Sequence, residues 1–376
     1  MKNDAENGSA KLHTIDNPEL GYKAFISVNT LKGGMAFGGC RFSPNVTAEE
    51  VSELAYCMSL KLAPHGLPVG GAKGGFAVSP QNPNMLKIAA DFGVKMGALL
   101  KSNVVLGKDL GATDEIMDHI YLSAGFPQLS PVHAHHPGKI IPNRIRDLTG
   151  YQKNMTGKGV SWAASAFFKE KIAKQTVIIQ GSGAVGVGTA IRLMDMGATV
   201  IGISDKDHAV YNKAGLPREF FTTTIQGGKI DPKNLPKQSE LLQSEQLYGL
   251  SANILILAAA SRSVVDTHAA QVSAELVVEG SNFGLVESAR TLLFNRGIMV
   301  IPDVIASSSS AAMVAYQMSS GNSITDEDLW SRIQKSILQA ASQTVEVSRI
   351  EKIEPRRAYV DILVPRFLKG ETTIRR

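Results

Sequence analysis

The sequence predicts a two-domain α/β protein: a first domain over residues 1–150, then a doubly wound parallel sheet with helices on both faces over 151–319. Three observations carry this. The chain has 376 residues, 44% hydrophobic and 19% charged, enough to bury a sizeable core but long for a single one. From about residue 160, apolar strand runs without in/out alternation are separated by helical stretches, the pattern of parallel strands covered on both faces. The glycine-rich run GSGAVG lies directly after one of these strands and opens a helix.

Taken in order, YKAFISVNT reads as a short strand. TAEEVSELAYCMSLKLA has apolar residues at helical spacing with Thr47 as its N-cap, and GGFAVSP is a second short strand. This puts Lys61 near a helix end and Lys73 after a glycine-rich turn leading into a strand. The stretch from about 115 to 150 is rich in loop residues and holds the domain boundary. Beyond it, VSWAASAFFKEK and VGTAIRLMDMG read as helices, whereas TVIIQ, TVIGISD, NILILAA, ELVVEG and IMVIPDV read as buried strands.

The net charge of +5 is scattered, with a mild concentration in the tail PRRAYVDILVPRFLKGETTIRR. No dense basic stripe or reading module accompanies it, so no nucleic-acid partner is expected. No segment has the roughly 18 unbroken apolar residues of a membrane span, and MKNDAENGSAKLH has no apolar run behind its lysine. A cytoplasmic protein with no membrane partner is expected. Cys40 and Cys57 are too few for a disulfide framework and read as small buried thiols. His133, His135 and His136 in HAHHP lack acidic or cysteine partners at ligand spacing. They read as an exposed loop, and no metal is expected.

The strongest cofactor signal is G-x-G-x-x-G, formed by Gly181, Gly183 and Gly186 around Ser182, Ala184 and Val185. The first glycine permits the tight turn, the second lets backbone approach a pyrophosphate, and the third allows close helix packing. About twenty residues on, the strand TVIGISD ends at Asp205, where a carboxylate accepts hydrogen bonds from an adenosine ribose. That acid opposes a 2′-phosphate, so the Rossmann domain is expected to take NAD rather than NADP, although Lys206 is adjacent.

Lys61 and Lys73 remain as isolated cations in LKLAPHGLPVGGAKGG. A P-loop is excluded, because Ala72 precedes Lys73 and Gly74 follows it where G-K-[ST] is required. The glycines around Lys73 leave room for a ligand beside its ammonium.

GGCRF, MSLKLAPHGLPVGGAKGG, GKDLGATDEIM, MTGKGV, GSGAVG, VVEGSN and IMVIPDVIASSSSAAMVAYQ occur in the order seen in glutamate, leucine, phenylalanine and valine dehydrogenases. Over roughly residues 20–320 the chain resembles that family, closest in pocket character to leucine dehydrogenase. The resemblance implies NAD-dependent oxidative deamination of an L-amino acid to a 2-oxo acid and ammonia by a homo-oligomer. It makes the first domain a substrate-binding and oligomerisation domain, with C-terminal helices 320–376 returning to it. Lys61 matches the α-carboxylate anchor, Lys73 the catalytic lysine and Asp109 the amine-facing acid, although an aspartate in GKDLGATD also reads as a turn or cap. Thr156 and Asn282 match positions facing the nicotinamide or the substrate amine, and both also read as caps.

Gly39, in GGCR, belongs to the substrate-binding set by the same resemblance. Glutamate-specific relatives hold the distal carboxylate with a lysine and a serine, and the matching positions are Phe37 and Val314. Neither binds an anion, so a nonpolar substrate is expected, with a glutamate-type enzyme of altered pocket as the alternative. One departure is Ser307–Ser310, which replaces the family's Asn-Ala-Gly-Gly turn. It raises a further alternative, a catalytically silent NAD-binding regulatory paralogue.

Overall fold

The computed structural model of the chain describes residues 10–126, 155–320 and 324–371. These fall into two compact units, one within 1–144 and 311–330, the other within 145–310 and 331–376.

The first unit is built on a five-stranded sheet of β1 (Lys11–Asn17), β2 (Tyr22–Val28), β3 (Ala36–Phe42), β4 (Gly70–Ala77) and β5 (Val104–Lys108). The order is β1-β2-β4-β3-β5, with β4, β3 and β5 mutually parallel and β1 and β2 antiparallel. Helix α1 (Ala48–Leu62) starts where expected, Thr47 Oγ1 accepting the Glu50 N–H at 3.2 Å. Glu49 and Glu50 add negative charge at its positive end. Two more helices, α2 (Met85–Lys101) and α3 (Asp114–Ser123), share a core with one sheet face through Cys40, Phe42, Phe76, Leu106, Phe92 and Ile120. Phe76 stacks on Phe42 at 4.3 Å between ring centroids and meets Phe92 at 4.5 Å. Burying each ring contributes roughly 1.5–3 kcal/mol.

The opposite face explains one glycine of each pair. A Cβ at Gly71 would lie 2.3 Å from the Ser59 nitrogen, and one at Gly75 2.4 Å from a Val51 methyl, both contributed by α1. Gly71 and Gly75 are therefore strand residues over which a helix packs closely, Gly70 and Gly74 are held bare by Thr30 and by Cys40, and Lys73 stands in the middle of β4. The expectation of a turn before Lys73 is corrected, since helix contact rather than chain reversal demands the missing side chains.

The second unit holds seven strands: β6 (Thr176–Gln180), β7 (Thr199–Ser204), β8 (His208–Tyr211), β9 (Glu240–Gln243), β10 (Ile254–Leu257), β11 (Leu276–Glu279) and β12 (Met299–Ile301). Their order is β12-β11-β10-β6-β7-β8-β9. The first five are parallel, and all four residues of β10 and of β11 are buried. β8 and β9 extend the β7 edge antiparallel and were not foreseen, being four residues each with little apolar pattern. Helices α4 (Met155–Phe168), α5 (Ala184–Asp195) and α6 (Glu287–Asn295) also belong to this unit. Strand order reverses between β6 and β10, which makes the crevice beyond their carboxyl ends the place for a ligand.

Helix α7 (Ser309–Ser320) crosses the division at 310/311, and α8 (Asp326–Glu351) crosses it at 330/331. Residues 311–330 group with the first unit, and from Ser331 onward the chain groups with the second. There the Arg349 guanidinium lies 5.3 Å from the Phe167 ring centroid and Arg356 pairs with Asp303, contacts that hold the C-terminal segment in place.

Candidate functional site

Strand pairing assembles the candidate catalytic residues of the first unit. Phe37 lies opposite Gly71 and Cys40 opposite Gly74, so Gly39 flanks Lys73; across the other edge of β3, Gly39 lies opposite Gly107. Side chains of a strand alternate between faces. Phe37, Gly39 and Arg41 therefore share the α1 face with Lys73. A Cβ on Gly39 would sit 2.8 Å from Asp109 Cβ and 3.3 Å from Lys73 Nζ. The bare glycine is what lets these two side chains meet, and Lys73 Nζ donates to Asp109 Oδ2 with the lysine side chain only 6% exposed.

Arg41 completes the group. Its Nε lies 3.4 Å from Asp109 Oδ2, and its Nη1 donates to Glu50 Oε1 at 2.6 Å. Burial pushes the Asp109 pKa upward. The charges of Lys73 and then Arg41, with hydrogen bonds from Lys73 and the Leu110 backbone, outweigh it and hold this carboxyl well below its ordinary range. Sequence reasoning left Arg41 out of the site, although its place two residues beyond Gly39 on one strand was a usable signal. Lys61 is buried in the last turn of α1. The Phe37 ring lies over Gly107, where an added Cβ would be 3.3 Å from Phe37 Cε2. Val314 is partly buried on α7.

In the second unit the fingerprint has the geometry a dinucleotide needs. Gly181 has φ +99°, and a Cβ there would lie 2.5 Å from the Ala258 carbonyl at the end of β10. A Cβ on Gly186 would lie 1.8 Å from the Gly181 carbonyl, whereas one on Gly183, the N-cap of α5, would have no neighbour within 4 Å. Open backbone thus stands before the N–H groups of Ala184 and Val185 at a helix N-terminus, and the residues fit a pyrophosphate.

Two expected cofactor residues carry structural duties. The Ser182 hydroxyl is buried and donates to the Gly228 carbonyl at 2.6 Å. Asp205 accepts the backbone N–H of Asp207 at 2.8 Å, His208 at 2.7 Å and Ile230 at 2.8 Å. Burial raises its pKa, but these three backbone hydrogen bonds bring it below the ordinary value, so it is charged at neutral pH. With about four acceptor positions on a carboxylate, roughly one is left for a ribose hydroxyl.

The serine run is well accommodated. Ser307 and Ser308 donate to the carbonyls of Asp303 and Ile305, Ser309 donates to that of Met155, and Ser310 Oγ lies 2.8 Å from Thr156 Oγ1. Thr156, in the first turn of α4, is thereby tied to the start of α7. Asn282 lies in the turn after β11. His133, His135 and His136 lie outside the described residues.

Comparison with known proteins fits both halves. Residues 150–364 match the family described as Glutamate/Leucine/Phenylalanine/Valine dehydrogenase, and residues 14–124 match Glu/Leu/Phe/Val dehydrogenase, dimerisation domain. An NAD-specific glutamate dehydrogenase of Staphylococcus aureus is 28% identical over 336 residues, covering 86% of this chain and 80% of its own. An NADP(+)-dependent glutamate dehydrogenase of Pyrobaculum calidifontis is 31% identical over 290 residues, covering 73% and 67%. The hetero-hexameric glutamate dehydrogenase of Thermus thermophilus, in its Leu-bound form, superposes with a TM-score of 0.75 at 24% identity, over 98% of this chain and 89% of that one. No helix among the described residues is long and apolar enough to cross a membrane. With matches to both of its domain models and a glycine fingerprint that fits a dinucleotide, the chain belongs to the glutamate/leucine/phenylalanine/valine dehydrogenase family of NAD(P)-dependent amino acid dehydrogenases.

Proposed function

We propose that the chain catalyses reversible oxidative deamination of an L-amino acid at the buried Lys73–Asp109 pair, the observation that carries this reading. When bound, a nicotinamide supplies the hydride acceptor for the substrate Cα–H. Lys61 anchors the α-carboxylate. Asp109, ionised between two cations, takes a proton from the substrate ammonium, which frees the amine lone pair. Lys73, after giving up its own ammonium proton to solvent, then accepts a proton from the water that adds to the resulting imine carbon. Asp109 returns its proton to the nitrogen of the carbinolamine so formed, and the C–N bond breaks as the hydroxyl becomes the 2-oxo carbonyl, its proton leaving with the ammonia as ammonium.

For the side chain, the relatives support a glutamate-type dehydrogenase of altered pocket, since all three proteins named above are glutamate dehydrogenases. A specific observation favours the second reading, a nonpolar substrate. The position that carries a cation in glutamate-specific relatives holds the buried ring of Phe37. Reduction of the cofactor, followed by absorbance with each L-amino acid, tests both readings. Turnover with glutamate alone supports the first, and turnover with leucine, valine or phenylalanine ahead of glutamate supports the second. Silence with all twenty, from a folded protein that binds NADH, would leave a regulatory NAD-binding role.

NAD is the proposed cofactor, on the charge of Asp205. Asp205→Ser should shift the NAD-to-NADP preference toward NADP by about tenfold, the scale of one charge acting across partly solvated surroundings. An unchanged ratio of kcat/KM values would mean that Asp205 serves only the backbone it holds. The match of residues 14–124 to a dimerisation domain supports a homo-oligomer. Two buried free cysteines, Cys40 and Cys57, suit a reducing cytoplasm.

A further inference from the structure

The turn between β11 and α6 is held from two sides. Glu279, the last residue of β11, accepts the Leu285 N–H at 3.0 Å and a bond from Arg290 Nη2 at 3.0 Å. Asp303, fully buried after β12, accepts the Phe283 N–H at 3.0 Å through Oδ2, while its Oδ1 pairs with Arg356. Phe283 itself has φ +50°, a conformation that a bulky residue adopts only when its surroundings impose it. Those surroundings are two guanidinium groups, Arg262 at 5.3 Å and Arg356 at 5.4 Å from the ring centroid. The strain is thus maintained by a residue 73 positions away in sequence, on a short C-terminal helix, Pro355–Arg357.

We propose that Asp303 and Arg356 are a positioning pair. By fixing Phe283 in the left-handed conformation they set the Ser281–Asn282–Phe283 turn in the orientation that receives a nicotinamide, without touching the cofactor themselves. This rests on the dinucleotide part of the reading above and deepens it. Two observations favour function over mere packing. The turn leaves the carboxyl end of a parallel strand, the end at which open α/β sheets generally bind ligands. The immobilised residue is also strained, where a glycine would adopt the same backbone freely.

The test measures binding of NADH and of ADP-ribose, which lacks the nicotinamide, to the full-length protein. Arg356→Ala should raise the Kd for NADH about tenfold and leave that for ADP-ribose unchanged. Arg356→Lys should fall between, keeping the ion pair but losing the flat face on Phe283. Phe283→Gly keeps Asp303–Arg356 and relieves the strain, so it serves if Arg356→Ala does not fold. It too should weaken NADH selectively, with no loss of melting temperature beyond that of the missing ring. Parallel changes for both ligands, or none for either, would overturn the proposal, as would a wild-type protein that binds neither. If NADH and ADP-ribose behave as expected but no amino acid is turned over, the catalytic reading fails and the positioning pair stands.

Discussion

Lys73→Ala should lower kcat by about 10³-fold, within the range of 10²–10⁴ associated with a positioned acid–base group, while the Kd for NADH stays within a factor of two. The asymmetry follows from the fold. Lys73 is a residue of the first unit, whereas the glycine fingerprint lies wholly in the second. Removing one partner of a buried ion pair ordinarily costs about 3–5 kcal/mol, because the other charge is stranded. Here Asp109 is one-quarter exposed and retains Arg41 at 3.4 Å, so the loss of stability should be well below that figure. A melting curve separates misfolding from lost chemistry, and a folded variant with more than a tenth of wild-type turnover would remove Lys73 from the mechanism. The same variant makes a statement about acid. The Asp109 pKa is depressed in the folded state, so its contribution is present above the ordinary carboxylate range and is lost as pH falls through the folded value. Without Lys73 that folded value rises, and acid unfolding of the variant should begin at higher pH than in the wild type.

Why this pair could be named from sequence, and its neighbours could not, is a matter of topology. Lys73 and Asp109 are 36 residues apart, and nothing in their spacing joins them. The resemblance supplied both, while the physical link is β3, which pairs with β4 on one edge and β5 on the other and presents Gly39 between them. The helix–strand alternation after residue 160 was legible because β10 and β11 are buried on both faces and read as unbroken apolar runs. β8 and β9 were illegible because four-residue strands at a sheet edge carry almost no pattern. The glycines of β4 misled for a definite reason. A turn and a tight helix contact make the same demand on a sequence, the absence of Cβ, and only the position of α1 tells them apart. The serine run looked like damage to a glycine turn, but each of its hydroxyls has a partner inside the second unit, so it carries no sign of a broken site.

Phe37→Lys should raise the ratio of kcat/KM for glutamate over that for leucine by about 10²-fold, since a distal carboxylate buried without a partner loses several kcal/mol that a cation restores. The position is well placed for this. Phe37 shares its strand face with Gly39, one pleat repeat or roughly 7 Å along the strand from the Lys73 level, and its ring covers Gly107, two residues before Asp109. Val314→Ser, on α7, should add a smaller increment by supplying a hydroxyl to the same anion. A further cation on the strand face that already carries Lys73 and Arg41 has a cost, and the empty site should be less stable to heat than the wild type, with glutamate restoring part of the difference. Two other cations could be asked to do this work in the unaltered protein. Arg41 is already engaged by Asp109 and Glu50, and Lys32 lies ahead of β3, outside the strand that carries Phe37, Gly39 and Arg41. A wild-type enzyme that prefers glutamate to every apolar amino acid, together with a Phe37→Lys ratio that does not move, would show that Phe37 does not read the side chain. The glutamate-type reading would then stand, and the pocket would have to be sought among other residues, with Lys73 and Asp109 keeping their parts.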